Sequence, residues 1–229
     1  MNLSEQTVSI LKNFSTINQN LLVKQGKVLN TMSAQKNIVA KAEVEEEFPE
    51  FAIYDLNEFL SCFSLFIKPK LLFKDTFVVM SETGSKGKSL KYWFSDPSVV
   101  TSPTKELSMP SNEVTFDFSS GTLSEVQKAA AVIGAPDMVL ESMDIGSAVL
   151  KVTDKKNDTA NSYASHLKIE NEDPHKNVPY KFWFKVENLK LLPGDYSVKV
   201  SSKRISYFSN KKLPIGYFIA LEPESSYGE

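Results

Sequence analysis

SEQTVSILKNFSTI (4–17) and SEVQKAAAVI (124–133) decide the fold, because they are two versions of one segment. Each opens on Ser-Glu and continues as an amphipathic stretch. Setting Ile17 on Ile133 shifts the chain by 116 residues and brings Lys12 onto Lys128. The first copy runs into a hairpin-like LLVKQGKVLNTM (21–32), the second into MVLESMDIGSAVLKV (138–152). A second pair follows in the same order: AIYDLNEFL (52–60) and FWFKVENLKLL (182–192), each an apolar strand feeding a short amphipathic segment. A two-fold repeat of this kind means two like structural units rather than one large one.

The periodicities fill in those units. Val8, Leu11, Phe14 and Ile17 share one helical face, opposite Gln6, Ser9, Lys12, Asn13 and Thr16, and Ser4 is the expected N-cap. Asp55 caps a second helix with Leu56, Phe59, Leu60, Phe63 and Ile67 inward. Short β-rich runs surround Gly26 and cover 37–44, 51–54, 70–75, 76–81 and 89–95. The second half repeats the plan. It has a strand at 114–119, a helix from about Thr122 to Ile133, and strands near Met138–Glu141, Ala148–Thr153, Tyr163–Ile169 and Tyr180–Lys185. A very short helix is expected near Val186–Leu191, stopped by Pro193-Gly194, before three closing strands. Between the halves, DPSVVTSPTKELSMPSN (96–112) holds three prolines and four serines without periodicity and reads as an extended connector. The fold class is α+β: two similar domains, 1–108 and 109–229, each with two short helices on a sheet-rich layer.

Composition permits this plan and little else. A hydrophobic content of 41% with 15 Phe supplies packed cores, while a net charge of −2 points to no particular partner. Cys62 is the one cysteine, so an internal disulfide is excluded and a reducing compartment suits the chain. MNLSEQTVSI lacks the regions of a signal peptide, and FLSCFSLFI (59–67) is too short to span a bilayer. The expectation is a soluble intracellular protein with no membrane partner.

No catalytic constellation emerges. Gly87-Lys88-Ser89 ends like a phosphate-binding loop, but Glu82 stands where the first glycine belongs and a strand-like LKYWFS follows; a hairpin turn is the better reading. His166 and His175 have no cysteine or carboxylate at metal spacing and read as surface histidines. Cys62 lies on or beside an apolar helix face and reads as a buried, inert thiol. No enzyme, metal or cofactor is expected. Two charge features remain. EVEEEFPE (43–50) carries Glu43, Glu45, Glu46, Glu47 and Glu50 and reads as a solvated edge strand and loop, or as an outward face that must not attract nucleic acid. Lys12, Lys68, Lys128 and Lys190 lie on or near the polar sides of the helices, where they would meet phosphates as point charges without reading sequence.

Five separated blocks, ILKNFSTIN (10–18), FAIYDLNEFLSCFSLF (51–66), DPSVV (96–100), LLPGDY (191–196) and YFIALE (217–222), resemble the sliding clamps of T-even-type bacteriophages, which are DNA polymerase processivity factors. The resemblance runs essentially the whole length, with 34–50 and 154–178 matching least. It implies a homotrimeric, pseudo-sixfold ring with the DNA-clamp fold, twelve short helices around a central hole and sheets outside. Double-stranded DNA would pass through the hole. The lysines Lys12, Lys68, Lys128 and Lys190 would face it, diluted by Glu5, Glu58, Glu125 and Glu187 on the same helices. The replicative DNA polymerase and other proteins would insert peptides against Val99, Val100, Pro103 and Leu107 of the connector and Ala220, Leu221 and Pro223 near the end, unless these residues simply pin the connector. Strand SLKYWF (89–94), with Leu90, Tyr92 and Phe94, would meet SYASHLKIE (162–170), with Tyr163, His166 and Leu167, of a neighbouring copy. A clamp loader complex and late-transcription factors would be further partners, in the cytoplasm of an infected bacterial host. The alternative reading is a non-catalytic phage structural or assembly protein with a two-domain β-rich fold.

Overall fold

In the computed structural model, which describes residues 1–82, 87–170 and 178–228, the chain forms two compact units, Met1–Glu106 and Leu107–Glu229. Unit 1 begins with α1 (Glu5–Ile17). The Ser4 hydroxyl accepts the Thr7 N–H at 3.1 Å, and Ile10, Leu11, Phe14 and Ile17 are buried. Strands β1 (Leu21–Val23), β2 (Gly26–Met32), β3 (Ile38–Phe48) and β4 (Phe51–Ile53) follow. β1 pairs antiparallel with β4 (Leu22 opposite Ala52), and β2 with β3 (Thr31 opposite Ala40). Helix α2 (Leu56–Ser64) is capped by Asp55, whose carboxylate accepts the Asn57 and Glu58 N–H groups. Three strands close the unit in the order β5 (Pro69–Phe73), β6 (Phe77–Glu82), β7 (Ser89–Trp93). Phe48, Phe51, Phe73 and Phe94 stack into its aromatic core, with adjacent centroids 4.9–6.3 Å apart. Ser89 opens a strand and not a helix, so Gly87-Lys88-Ser89 has none of the helix N-terminus that a phosphate loop needs.

Unit 2 runs β8 (Val114–Phe118), α3 (Ser120–Ile133), β9 (Asp137–Ser142), β10 (Ser147–Thr153), β11 (Tyr163–Lys168), β12 (Tyr180–Lys185), a 3₁₀ turn (Val186–Asn188), β13 (Tyr196–Ser201), β14 (Ile205–Asn210), β15 (Ile215–Ala220) and β16 (Ser226–Tyr227). One sheet has the order β11-β10-β9-β12-β16, and β8-β13-β14-β15 pair in that order within the unit. The repeat is now visible as connectivity. Among the described residues, unit 1 reads helix, four strands, helix, three strands, and unit 2, after β8, reads helix, four strands, 3₁₀ turn, three strands and the short β16. β9 pairs with β12 as β1 pairs with β4, and β10 with β11 as β2 with β3. Even β8, which pairs with β13, has a rudimentary counterpart: Met1 exchanges two 2.7 Å hydrogen bonds with Leu71 of β5.

Two elements depart from the sequence reading. Helix α3 starts at Ser120, capped by Ser119, rather than near Thr122 or Ser124. The Ser119 hydroxyl accepts the Thr122 N–H at 3.0 Å, while Asp195, distant in sequence, accepts the Ser120 N–H at 2.8 Å. That tertiary acceptor satisfies a first-turn donor and lets the helix include Gly121, a poor helix former. The expected helix at Val186–Leu191 is only a 3₁₀ turn, Val186–Asn188, so the described residues of unit 2 hold one α-helix where two short ones were expected. Its carbonyls and amides go to side chains instead. Gln127 Nε2 donates to the Leu189 carbonyl (3.1 Å), Leu192 N–H to the Tyr217 hydroxyl (3.1 Å), and the Tyr196 hydroxyl to the Leu192 carbonyl (2.5 Å). Backbone groups already paired in this way gain nothing from helix formation.

Candidate functional site

On α1 the exposed residues Glu5, Ser9, Lys12 and Thr16 recur at spacings of four, three and four, forming one outward stripe. Lys12 and the exposed Lys68 line the same groove of about 530 Å³, together with Val8, Phe63 and Pro69. On α3, Ser124, Glu125 and Lys128 are exposed. Lys12 and Lys128 each stand five residues before their helix's last residue, Ile17 and Ile133, so the repeat in sequence is a repeat of position. Lys190 is half-buried just after the 3₁₀ turn, in the segment tied to α3 through Gln127. Glu5, Glu58, Glu125 and Glu187 are all exposed, so these faces alternate in charge.

The connector's first part is fixed to unit 1. Asp96 caps a 3₁₀ turn (Pro97–Val99), the Thr101 N–H donates to Asn20 Oδ1 (3.2 Å), and Lys41 ion-pairs with Glu106. Val99 stands exposed on this anchored stretch, with Val100 and Pro103 half-buried. In unit 2, Leu107 is exposed, Ala220 half-buried and Pro223 exposed, whereas Leu221 is buried.

β7 and β11 are each the last strand of their sheet among the described residues. Such edges carry free backbone donors and acceptors that invite another strand. Along β7, Leu90 is half-buried, and Phe94 just beyond it stacks on Phe51 at 4.9 Å. Tyr92 is committed to the core: it meets Phe59 edge-on at 5.3 Å and donates to the Asp55 carbonyl at 3.2 Å. Burial, reinforced by Glu58 and Asp55, pushes its hydroxyl up to about 12. Only its backbone is therefore available to a neighbouring strand. On β11, Tyr163 and Leu167 are half-buried and His166 exposed; the Tyr163 hydroxyl donates to Glu125 at 3.2 Å. His175 lies outside the described residues. Cys62 is half-buried rather than buried, and burial together with Glu58 pushes its thiol up, away from the reactive thiolate.

One member of the acidic run has a task that composition does not reveal. β3 alternates strictly through Val44 with its even-numbered residues inward, and Glu46 sits on that inward parity while Glu43, Glu45 and Glu47 face solvent. Its carboxylate accepts the Ser4 N–H and, at 2.5 Å, the Thr7 hydroxyl, so it closes the N-terminus of α1. Burial works to raise this carboxyl, but the hydrogen bonds from Thr7 and Ser4 outweigh it and hold the group below its ordinary value. A depressed folded-state value means stability that is present above the unfolded carboxylate range and lost as pH falls through the folded one. Glu46→Gln is expected to cost about 1 kcal/mol at neutral pH, allowing for solvent screening. The check is a urea titration against pH: the wild type should lose this increment below about pH 4.5 and the variant should not. Equal acid slopes would remove Glu46 from the account.

Among the described residues no cluster of His, Cys, Asp or Glu is arranged to hold a metal, and no helix is long and apolar enough to cross a membrane. Two like α+β units with open edge strands and lysine-bearing helices define a clamp-type, two-domain scaffold. The proliferating cell nuclear antigens of Thermococcus kodakaraensis and Entamoeba histolytica share this fold, with TM-scores of 0.68 and 0.66 at 13% identity over 95% and 94% of this chain and 96% and 94% of theirs. The sequence model of the DNA polymerase processivity factor family matches residues 4–70. The sliding clamp of Vibrio phage KVP40 is 31% identical over 97% of this chain and 99% of its own, and that of Escherichia phage RB69 is 27% identical over 99% of both. The chain belongs to the sliding-clamp family.

Proposed function

We propose that three copies of this chain close into a ring around duplex DNA and tether the replicative DNA polymerase, giving processive synthesis without catalysis of its own. The observation that carries the reading is the 31% identity to a phage sliding clamp over nearly the full length of both chains. The local chemistry supports it. A ring that must slide needs phosphate contacts too weak and too unspecific to stop it. Isolated lysines among serines, threonines and glutamates suit that need better than a dense basic patch. Lys12, Lys68, Lys128 and Lys190 are the proposed DNA-facing cations. The open edges of β7 and β11 are the proposed joint between copies, through backbone pairing and the side chains of Leu90, Phe94, Tyr163, His166 and Leu167. Val99, with Val100, Pro103, Leu107, Ala220 and Pro223, is the proposed docking material for partner peptides; buried Leu221 supports that surface from beneath. A loader that opens the ring, factors that use it in late transcription, and residence in the cytoplasm of an infected bacterium complete the proposal.

The test is the mass in solution at several micromolar concentrations. Three copies of a 25.6 kDa chain, about 77 kDa, are expected. A monomer at every concentration would remove the ring. A trimer that fails to stimulate its cognate polymerase on circular DNA would favour a structural role instead.

A further inference from the structure

The outer face of the β5–β6–β7 sheet, turned away from the residues that pack on α2, carries an ordered apolar patch with a cationic rim. Leu71, Val78, Met80 and Tyr92 take the inward side and are buried. The opposite parity forms three rows across the strands. The rows are Lys70–Ser81–Ser89, Leu72–Val79–Lys91 and, one step further, Lys74–Phe77–Trp93, the last continued by the Lys74 N–H bond to the Phe77 carbonyl at 2.9 Å. Leu72 is 53% and Trp93 61% exposed. Phe77 and Trp93 lie 5.2 Å apart, and the Lys91 ammonium stands 3.8 Å and 3.9 Å over their rings. These nine positions hold three lysines and no carboxylate. Asp75 lies past them in the β5–β6 turn, and Glu82 has the inward parity.

We propose that this face docks an acidic peptide segment of a partner protein, an apolar anchor on Leu72, Val79 and Trp93 flanked by carboxylates on Lys70, Lys74 and Lys91. The arrangement is that of a small recognition patch: a dehydratable centre gives affinity, and a rim of one sign chooses the partner. A lone exposed tryptophan would need no such explanation, but four apolar side chains in register on one face do. Charge complementarity settles the sign. The aliphatic Leu72 and Val79 at the centre favour a side chain over a nucleobase, and the Lys91 ammonium already stands over one face of the Phe77 and Trp93 rings, where a base would compete with it. The face belongs to neither the proposed DNA-facing lysines nor the connector, so it stands independently of them.

Trp93 reports on the patch when Trp183, the other tryptophan, is replaced by Phe. In that Trp183→Phe background, the peptide EELFEE is expected to change Trp93 emission saturably, and Lys70→Glu with Lys91→Glu to weaken it about tenfold (1.4 kcal/mol). The charge-swapped peptide KKLFKK should bind the doubly reversed variant better than the parent. The solution mass of that variant should match the parent's. No saturable change with EELFEE, or binding that ignores the charge reversal, overturns the proposal. So does equal binding of KKLFKK or a short oligothymidylate to the parent chain. A lowered solution mass in the reversed variant also overturns it, by assigning the face to contact between copies.

Discussion

Reversing Lys12 and Lys128 together, Lys12→Glu with Lys128→Glu, is expected to reduce polymerase stimulation on circular DNA about tenfold or more, while the protein's mass in solution stays that of the parent. The expectation rests on arithmetic over the assembly. Each chain changes by four charges, and a ring of three multiplies that threefold at the surface where phosphates pass. Every phosphate no longer neutralised removes close to one unit of salt slope, about 0.9, from the binding equilibrium. A tenfold loss needs only about 1.4 kcal/mol over the whole ring. The fold should survive: both lysines are exposed, and a glutamate this near a helix C-terminus costs about 0.5 kcal/mol. Lys12→Gln with Lys128→Gln should fall between parent and reversal, and the defect should narrow as salt rises, because the parent, with more phosphate contacts, has the steeper salt slope. Full stimulation by the reversed protein, at low and moderate salt alike, would sink the assignment of these helices to DNA.

What could be read from the chain in advance was whatever depends on neighbours in sequence. Ile17 and Ile133 both end their helices, and the order of strands in the two halves corresponds pair by pair, because periodicity and turn residues are local. The start of α3 was not legible, since its first N–H is satisfied by Asp195, 75 residues away along the chain. Nor was the truncation of the helix after β12, which depends on Gln127, Tyr196 and Tyr217 converging on one short segment. Glu46 was legible in principle. A carboxylate on the inward parity of an alternating strand demands a donor, and that signal was hidden inside a run of glutamates. At the candidate site the helix lysines could be found because the repeat doubles them. Tyr92 and Leu221 could not be told from their exposed neighbours, because one step along a strand or past its end separates core from surface.

The largest expected effect on stability lies in a feature that no sequence pattern announced. Asp137 is completely buried at the start of β9, directly across from Lys185 of β12, whose ammonium reaches its carboxylate at 2.6 Å. The Lys155 N–H donates to the other oxygen at 3.2 Å, and the Lys155 ammonium in turn holds Glu222 (3.0 Å) and Glu224 (2.9 Å) beyond β15. The network therefore ties two central strands to the segment carrying Pro223. Lys185→Ala leaves a buried carboxylate with one amide for company and is expected to cost about 3 kcal/mol. Asp137→Ala should cost less. Lys185 is 26% exposed and lies 3.9 Å from Glu222, so it keeps water and a second partner. Asp137→Asn with Lys185→Met, which removes both charges at nearly the parent volume and leaves an oxygen for the Lys155 N–H, should be milder than Lys185→Ala alone. Urea unfolding followed through Trp183, which lies in β12, with Trp93 replaced by Phe, would order the three variants. If Lys185→Ala unfolds at the parent midpoint, the Lys155 amide suffices for the carboxylate, and the ion pair contributes position to the tail without contributing stability to the sheet.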